Sequence, residues 1–111
     1  MNRGELYRVR RPPGDPKPAR VVVIVSRQRL IATDHTTLVC APVHSQRFGL
    51  ATEVDIGPQE GLLHDSAIRC DGLISVHRGL LTDFIGTLGP GKLRQLAVAI
   101  GVALGLDDEG H

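Results

Sequence analysis

The sequence predicts a small, mainly β protein, a strongly curved antiparallel barrel or half-barrel with one C-terminal helix. Seven short stretches of strand character follow one another at close spacing, and only the last part of the 111-residue chain changes to a helical period. Hydrophobic residues make up 41% and charged residues 23%, as is usual for a folded domain. The length suits one domain over residues 1–111, and we expect residues 107–111 to be a disordered tail.

The strands are predicted from β-branched runs and from alternation of apolar with polar residues. The clearest is the continuous valine and isoleucine run of Arg20–Ser26. Residues 12–18 form a surface loop before it, because prolines cannot join a β-ladder. Arg27–Thr37 is expected to be irregular and Val43–Gly49 to be a loop. The predicted strands are Glu5–Arg11, Arg20–Ser26, Leu38–Pro42, Ala51–Ile56, Ser66–Cys70, Leu73–Val76 and Thr82–Leu88.

One apolar stripe at helical spacing predicts the C-terminal helix. Pro90 suits its first turn and Gly105 suits its C-terminal cap. A single short helix can cover one open side of a curved sheet. The stripe consists of Leu93, Leu96, Ala97, Ile100 and Leu104.

Several classes of protein are disfavoured by composition. No apolar run is long enough to span a bilayer, and the N-terminal segment is basic where a signal peptide would be apolar, so we expect a cytoplasmic protein. Cys40 and Cys70 form no CxxC pair, which favours buried, reduced thiols over a zinc site. One Tyr, two Phe and no Trp argue against an aromatic platform that stacks bases.

The charges are distributed unevenly along the chain. Residues 1–50 hold nine Lys and Arg against three Asp and Glu, whereas residues 51–111 hold four against nine. A basic half of this kind is typical of a surface that faces phosphates. Chance sorting of ordinary surface charge is an equally good explanation of this pattern when it is taken alone.

Five motifs in the same order resemble the MazF/PemK toxin family. The first two are RGELY and RVVVIVS, where the family has RGE(I/V)(W/Y) and RPVLVVS. The next two are LVCAPV and DSAIRCD, where the family has VVVVPLT and DSVALCDQ. The fifth is IGTL, followed by a helix that ends in LGL, as in the family's IGRLS…VLGL. The resemblance extends over nearly the whole chain.

The resemblance implies an SH3-like barrel of the CcdB/PemK type, a homodimer and a neutralising MazE-like antitoxin. It also implies an endoribonuclease that cleaves single-stranded RNA at a short motif without metal or cofactor, and so inhibits translation and growth. Three positions depart from the family. Val21 replaces a common proline, His44 stands where Thr or Ser is usual, and Gly72 stands where Gln is frequent.

The resemblance also indicates the catalytic candidates. Cleavage without a metal uses the 2′-hydroxyl as nucleophile, so it needs a proton acceptor, a proton donor and positive charge for the phosphorane. Arg20 suits the charge role because its guanidinium matches two phosphate oxygens. His44 is the candidate acid or base, with simple substrate contact as the alternative, and Ser45 beside it is the candidate hydroxyl if the match to the family is displaced by one residue. Asp15 is expected either to orient Arg20 or accept a proton, or to be one more solvated loop charge.

Further residues are candidates for contact with RNA, each with a solvated or structural position as its alternative. The electrostatic candidates are Lys17, Arg27, Arg29 and Arg47, and those matching the family's RNA groove and dimer seam are Ser66, Arg69 and Asp71. Two other functions remain open at this point: a CcdB-like poison of DNA gyrase, and a catalytically degenerate module that only binds an antitoxin.

Overall fold

The structure is a computed structural model and describes residues 1–17 and 19–106. Within these residues, seven strands form one antiparallel sheet in the order β4–β5–β3–β2–β1–β7, and β6 pairs with β3. The strands are β1 Glu5–Val9, β2 Val21–Ile24, β3 Thr37–His44, β4 Glu53–Ile56, β5 Ser66–Arg69, β6 Ile74–His77 and β7 Leu81–Thr87. The helices are α1 Gln28–Ile31 and α2 Pro90–Ala103, and 3₁₀ turns occupy Pro58–Glu60, Cys70–Gly72 and Arg78–Leu80.

Strand β3 is the centre of this architecture. Its first half pairs with β6, its last two residues pair with β5, and its other edge pairs with β2. Because one strand changes partners along its length, the sheet bends strongly. The predicted class, a small SH3-like antiparallel barrel with a C-terminal helix, is confirmed, although the ladder is not continuous around the barrel.

Strands β4 and β7 are the two ends of the strand order, and they come close together where the turn after β4 packs against β7. Gly61 lies against the backbone of Ile85, and Gly86 lies against the carbonyl of Glu60. A Cβ atom at either glycine would overlap these backbone atoms, and Gly61 also has a φ of +95°, which disfavours other residues. Glycine at both positions therefore permits the close approach that gives the sheet its barrel-like form.

Core residues pack against parts of both faces of the sheet. Adjacent residues of β1 show this directly: Leu6 belongs to a cluster that includes Leu96 of α2, whereas Tyr7 belongs to a second cluster that includes Ile31 of α1. Successive side chains of a strand point to opposite faces, so two cores cover the two sides. Ile31 of α1 thus packs on the same face as Tyr7, and the part of that face around Arg20 and His44 stays exposed.

Two local predictions about loops were wrong. Arg27–Thr37 contains the short helix α1, whose last carbonyl, that of Ile31, accepts a hydrogen bond from the Arg78 side chain forty-seven residues further along the chain. The loop predicted from Val43 begins later, since β5 pairs with β3 through His44. These contacts are long-range, so the local sequence does not contain them.

The helix α2 exists as predicted, but its buried face differs. Leu96 and Ala99 are buried, whereas Ala97 and Leu104 are exposed, because α2 packs on β4 and on the Cys70–Gly72 turn. Several predicted strands are also one or two residues longer than the observed ones. The predicted tail, residues 107–111, lies outside the described residues.

Both cysteines are buried and free, as predicted. Burial raises the pKa of Cys40 to about 12, and burial together with the charge of Asp71 raises the pKa of Cys70 to about 11. Both groups are therefore neutral thiols at neutral pH. In the described part of the chain, no helix combines the length and the apolar character that a membrane span requires.

Candidate active site

The register of the sheet brings Arg20 opposite His44. The last pair of the β2–β3 ladder is Val21 with Val43, and continuing this register by one residue sets Arg20 against His44, whose pKa the charge of Arg20 lowers. Residues directly opposite each other in an antiparallel pair have side chains on one face, about 5 Å apart at Cβ. Both residues are exposed. An arginine and a histidine thus share one exposed surface, although twenty-four residues separate them in the sequence.

The same row continues across the sheet. His44 pairs with Ala67 of β5, which in turn pairs with Asp55 of β4. Two residues along, the next row on the same face holds Arg69 of β5 and Glu53 of β4, which pair with each other. The open face of the sheet therefore contains a compact set of charged and titratable side chains.

The charges around His44 influence its protonation. Partial burial lowers the pKa of His44 below its ordinary value of 6.5, and the positive charges of Arg69 and Arg20 lower it further. At neutral pH the imidazole is therefore mainly uncharged. A neutral imidazole beside two guanidinium groups is able to accept a proton while the arginines hold an anion.

A cavity of about 350 Å³ opens beside His44. It lies between the end of β3, the loop that leads to β4, and the turn after β5. Its size falls within the range of small-molecule binding pockets, which begins at about 300 Å³. The lining residues are Pro42, His44, Phe48, Leu50, Thr52, Glu53, Arg69, Asp71 and Gly72.

Glu53 fixes the loop that forms one wall of this cavity. Its Oε1 atom accepts hydrogen bonds from the backbone N–H groups of Phe48 (3.0 Å) and Leu50 (3.2 Å). Burial opposes the charge of this carboxylate, but the N–H groups of Leu50, Phe48 and Gly49, together with Arg69, outweigh that effect and lower the pKa of Glu53. The loop is therefore held by an ionised side chain at neutral pH.

Arg69 links this loop to the floor of the cavity. Its guanidinium carbon lies 4.7 Å from the centre of the Phe48 ring, and its Nε atom lies 3.8 Å from Oε2 of Glu53. The Nε atom of Arg69 and the Oε2 atom of Glu53 are both buried without a hydrogen-bond partner among the described residues. A charged pair at this distance holds the Arg69 side chain in place against the ring of Phe48.

Three further residues that the sequence predicts for the site are Asp71, Ser45 and, on the β1–β2 loop, Asp15. Asp71 accepts a hydrogen bond from the Thr52 hydroxyl (2.5 Å) at the rim of the cavity. Ser45 follows His44 and is exposed. Asp15 bonds to the Arg11 side chain (3.0 Å) and accepts the backbone N–H of Lys17 (3.0 Å), and these bonds lower its pKa. The sequence left open whether Asp15 orients Arg20, accepts a proton or is a solvated loop charge, and in the structure its carboxylate has Arg11 and Lys17 as partners.

The other predicted RNA contacts are dispersed. Arg27 and Arg29 lie at α1, at the opposite end of β2 from Arg20. Arg47 lines a different cavity, which it shares with Asp55 and Asp65. Ser66 is buried and donates its hydroxyl hydrogen to the carbonyl of His64.

The structure thus brings together four of the residues predicted for the site, and sequence reasoning missed others. Arg20, His44, Arg69 and Asp71 form one region. Missed were Phe48, Leu50, Thr52 and Glu53, which follow His44 in the chain. Phe48 carried a usable signal, because it is one of only two phenylalanines and stands in a polar loop.

Fold and site together define a class of small, curved β protein whose open sheet face carries an arginine and a histidine suited to phosphate chemistry. A family model described as "PemK-like, MazF-like toxin of type II toxin-antitoxin system" matches residues 2–104. Endoribonuclease MazF3 of Mycobacterium tuberculosis is 35% identical over 89 residues, which cover 80% of this chain and 85% of the relative. The chain belongs to the PemK-like, MazF-like family of toxins of type II toxin–antitoxin systems.

Solved structures agree with this assignment. The Mycobacterium tuberculosis toxin MazF-mt6 superposes with a TM-score of 0.79 at 29% identity and covers 91% of this chain and 96% of its own. An endoribonuclease solved in complex with its cognate antitoxin, from a mycobacterial species, superposes with a TM-score of 0.79 at 26% identity and covers 96% of each chain. MazF in the MazE–MazF complex of Deinococcus radiodurans, at 17% identity and a TM-score of 0.75, shares the fold.

Proposed function

We propose that this toxin is an endoribonuclease that cleaves single-stranded RNA at a short motif and so stops translation. The observation that carries the proposal is that Arg20 and His44, both exposed, flank the last pair of the β2–β3 ladder, and that the charge of Arg20 acts on His44, in a chain of this family. The 35% identity to a protein named endoribonuclease supports the same activity. Strong positive charge beside a proton-accepting imidazole is the combination that phosphodiester transesterification requires.

The proposed reaction uses the RNA's own 2′-hydroxyl, so it has no need of a metal-activated water. His44, uncharged at neutral pH, accepts the hydroxyl proton as the 2′-oxygen forms a bond to phosphorus. Arg20 stabilises the negative charge that develops on the phosphorane oxygens, and the exposed hydroxyl of Ser45 is a further hydrogen-bond donor to them. The bond from phosphorus to the 5′-oxygen then breaks, and this oxygen takes up a proton from water. The products are a 2′,3′-cyclic phosphate and a 5′-hydroxyl.

Two further positively charged side chains, Lys17 and Arg69, are proposed to bind RNA near Arg20 and His44. Lys17, exposed on the β1–β2 loop that precedes Arg20, is proposed to contact backbone phosphates, and Arg69 is proposed to hold substrate beside His44. Asp15 positions the loop through its bond to Arg11. These contacts position RNA but read no sequence.

We also propose a homodimer and a neutralising antitoxin. Small domains of this kind commonly close their grooves about a two-fold axis. Exposed apolar side chains on and after α2, among them Val98, Leu104 and Leu106, offer surface for such contacts. The structural relative of 26% identity was solved in complex with its cognate antitoxin, which supports a similar partner for this chain.

The proposed function is tested with purified protein and a long single-stranded RNA in the presence of EDTA. Wild type is expected to cleave it at defined positions. Arg20→Ala is expected to reduce cleavage by on the order of a hundredfold or more. The matched control is Arg94→Ala, which removes an exposed arginine on α2. Intact RNA after incubation with folded wild-type protein would contradict the proposal and favour a toxin that acts by binding alone.

A further inference from the structure

A buried glutamate, Glu53, connects two parts of the surroundings of His44. It is the first residue of β4, and its side chain is only 3% exposed. A carboxylate in such a position is costly unless its oxygens have partners, so those partners indicate what the residue does. One oxygen faces the loop between β3 and β4, residues 45–52, and the other faces Arg69 of β5.

The first oxygen, Oε1, is bound by backbone N–H groups of the β3–β4 loop. Phe48 donates to it at 3.0 Å and Leu50 at 3.2 Å, and the N–H group of Gly49 also stabilises the charge of the carboxylate. Gly49 has a φ of +70°, a left-handed conformation that turns the chain so that successive N–H groups converge on an anion. The loop is therefore shaped around the side chain of Glu53.

The second oxygen, Oε2, lies 3.8 Å from the Nε atom of Arg69. Glu53 and Arg69 are direct partners in the β4–β5 ladder, so their side chains share one face. Their separation is too long for a hydrogen bond, and within the described part of the chain neither atom has a hydrogen-bond partner. The attraction between the two groups therefore comes from their charges.

The ring of Phe48 closes these contacts into a triangle. The guanidinium carbon of Arg69 lies 4.7 Å from the ring centre, and the backbone of Phe48 is bound to Glu53, so each of the three residues contacts the other two. Loss of the carboxylate would release the loop N–H groups and leave the Arg69 Nε atom buried without its charged partner. A buried charge in that state favours rotation of the guanidinium into solvent.

The position of Arg69 matters because its charge reaches His44. The two residues lie diagonally across the β3–β5 ladder on the open face of the sheet. After partial burial, the charge of Arg69 is the strongest influence that lowers the pKa of His44, followed by that of Arg20. The carboxylates on the same face or in the same cavity are those of Glu53, Asp55 and Asp71.

We infer that Glu53 is a positioning residue of the proposed active site: its buried carboxylate holds the β3–β4 loop and the Arg69 side chain together, and so keeps the Arg69 charge beside His44. This inference rests on the proposed function and adds a residue that acts through Arg69. It also explains why an ionised side chain occupies a buried position at the start of β4, since the loop N–H groups and the guanidinium both require negative charge there.

The test is a double-mutant cycle, measured by NMR titration of the His44 ring. Arg69→Ala in the wild-type background should raise the pKa of His44 toward its ordinary value. In the Glu53→Ala background the same substitution should cause less than about half of that shift, because Arg69 has already left its position. A direct effect of the Glu53 charge on His44 cancels, since residue 53 is the same in both members of each pair.

The matched control is Glu60, a second buried glutamate, whose Oε1 atom accepts the backbone N–H of Gly57 at 2.7 Å. In Glu60→Ala the full effect of Arg69→Ala should remain. Glu53→Gln guards against a misfolded loop, because its amide oxygen still accepts the loop N–H groups but carries no charge to hold Arg69. An effect of Arg69→Ala that is the same in wild type and in both Glu53 variants would overturn the inference, as would an equal reduction in Glu60→Ala.

RNA cleavage gives a second measurement of the same coupling. Glu53→Gln should lower kcat/KM by up to about a hundredfold, because a displaced group no longer meets its substrate. Adding Arg69→Ala should then cost little more. If wild type cleaves RNA but the two substitutions act independently, the role of Glu53 is wrong and the endoribonuclease stands. If wild type cleaves no RNA, the proposed function fails, and the titration cycle still decides whether Glu53 holds Arg69 beside His44.

Discussion

Arg69 and His44 lie diagonally across the β3–β5 ladder, on the same open face of the sheet. The guanidinium charge of Arg69 contributes to lowering the pKa of His44, more than that of Arg20 does. Arg69 is itself held by Phe48 and Glu53. The β3–β4 loop is therefore connected, through one arginine, to the protonation of the proposed catalytic imidazole.

Arg69→Ala should raise the pKa of His44 toward its ordinary value. Loss of the guanidinium removes repulsion from the imidazolium, so the protonated form becomes more stable and binds its proton at higher pH. A titration of the His44 ring resonances by NMR measures this shift. Arg94→Ala on α2 should leave the titration unchanged. A His44 pKa that stays constant or falls in Arg69→Ala would show that Arg69 does not act on it.

The rate of RNA cleavage should depend on pH through His44. As a proton acceptor, His44 is active when uncharged, so the rate should rise with pH and level off above a pKa that lies below 6.5. His44→Ala should lower the rate by about 10²–10⁴-fold and lose this limb. His44→Thr, which restores the residue usual in the family, should recover part of the rate without the limb. Normal cleavage by His44→Ala would exclude His44 as the base.

The salt dependence of RNA binding should distinguish the two basic ends of β2. Each phosphate contact contributes about 0.7 to the slope of log affinity against log salt for a single strand. Lys17→Ala, on the loop leading to Arg20, should flatten that slope by about this amount. Arg29→Ala, on α1 at the opposite end, should change it less. An equal or larger effect of Arg29→Ala would place the RNA on the α1 side of the sheet.

The close approach between the turn after β4 and strand β7 should make the stability of the protein sensitive to substitution of Gly86. Gly86→Ala places a Cβ atom against the carbonyl of Glu60, and relief of that overlap should cost about 1–3 kcal/mol of unfolding free energy. The control is Gly101→Ala in α2, where a Cβ atom meets nothing within 4 Å. The higher helix propensity of alanine should raise the unfolding free energy of this variant by at most about 1 kcal/mol. Urea denaturation measures both. A neutral Gly86→Ala would show that the sheet edges approach each other less closely.

The sequence was informative where local pattern determines structure. The strands, the C-terminal helix and the buried thiols follow from apolar periodicity, and the ordered motifs indicated the family and therefore Arg20 and His44. The sequence could not show that Arg20 lies opposite His44, because that depends on the register of β2 with β3. It also missed Glu53, since a glutamate on a strand appears solvated until its bonds to Phe48 and Leu50 are seen.

The central claim is that the 2′-hydroxyl of RNA is the nucleophile, activated by His44 and stabilised by Arg20. It is tested most directly with an oligonucleotide that contains the mapped motif and carries a single 2′-deoxy residue on the 5′ side of the cut, with EDTA present. The account predicts that this bond stays intact, while the all-RNA version yields a 2′,3′-cyclic phosphate and a 5′-hydroxyl. Cleavage of the 2′-deoxy bond, or products with 5′-phosphates, would contradict it.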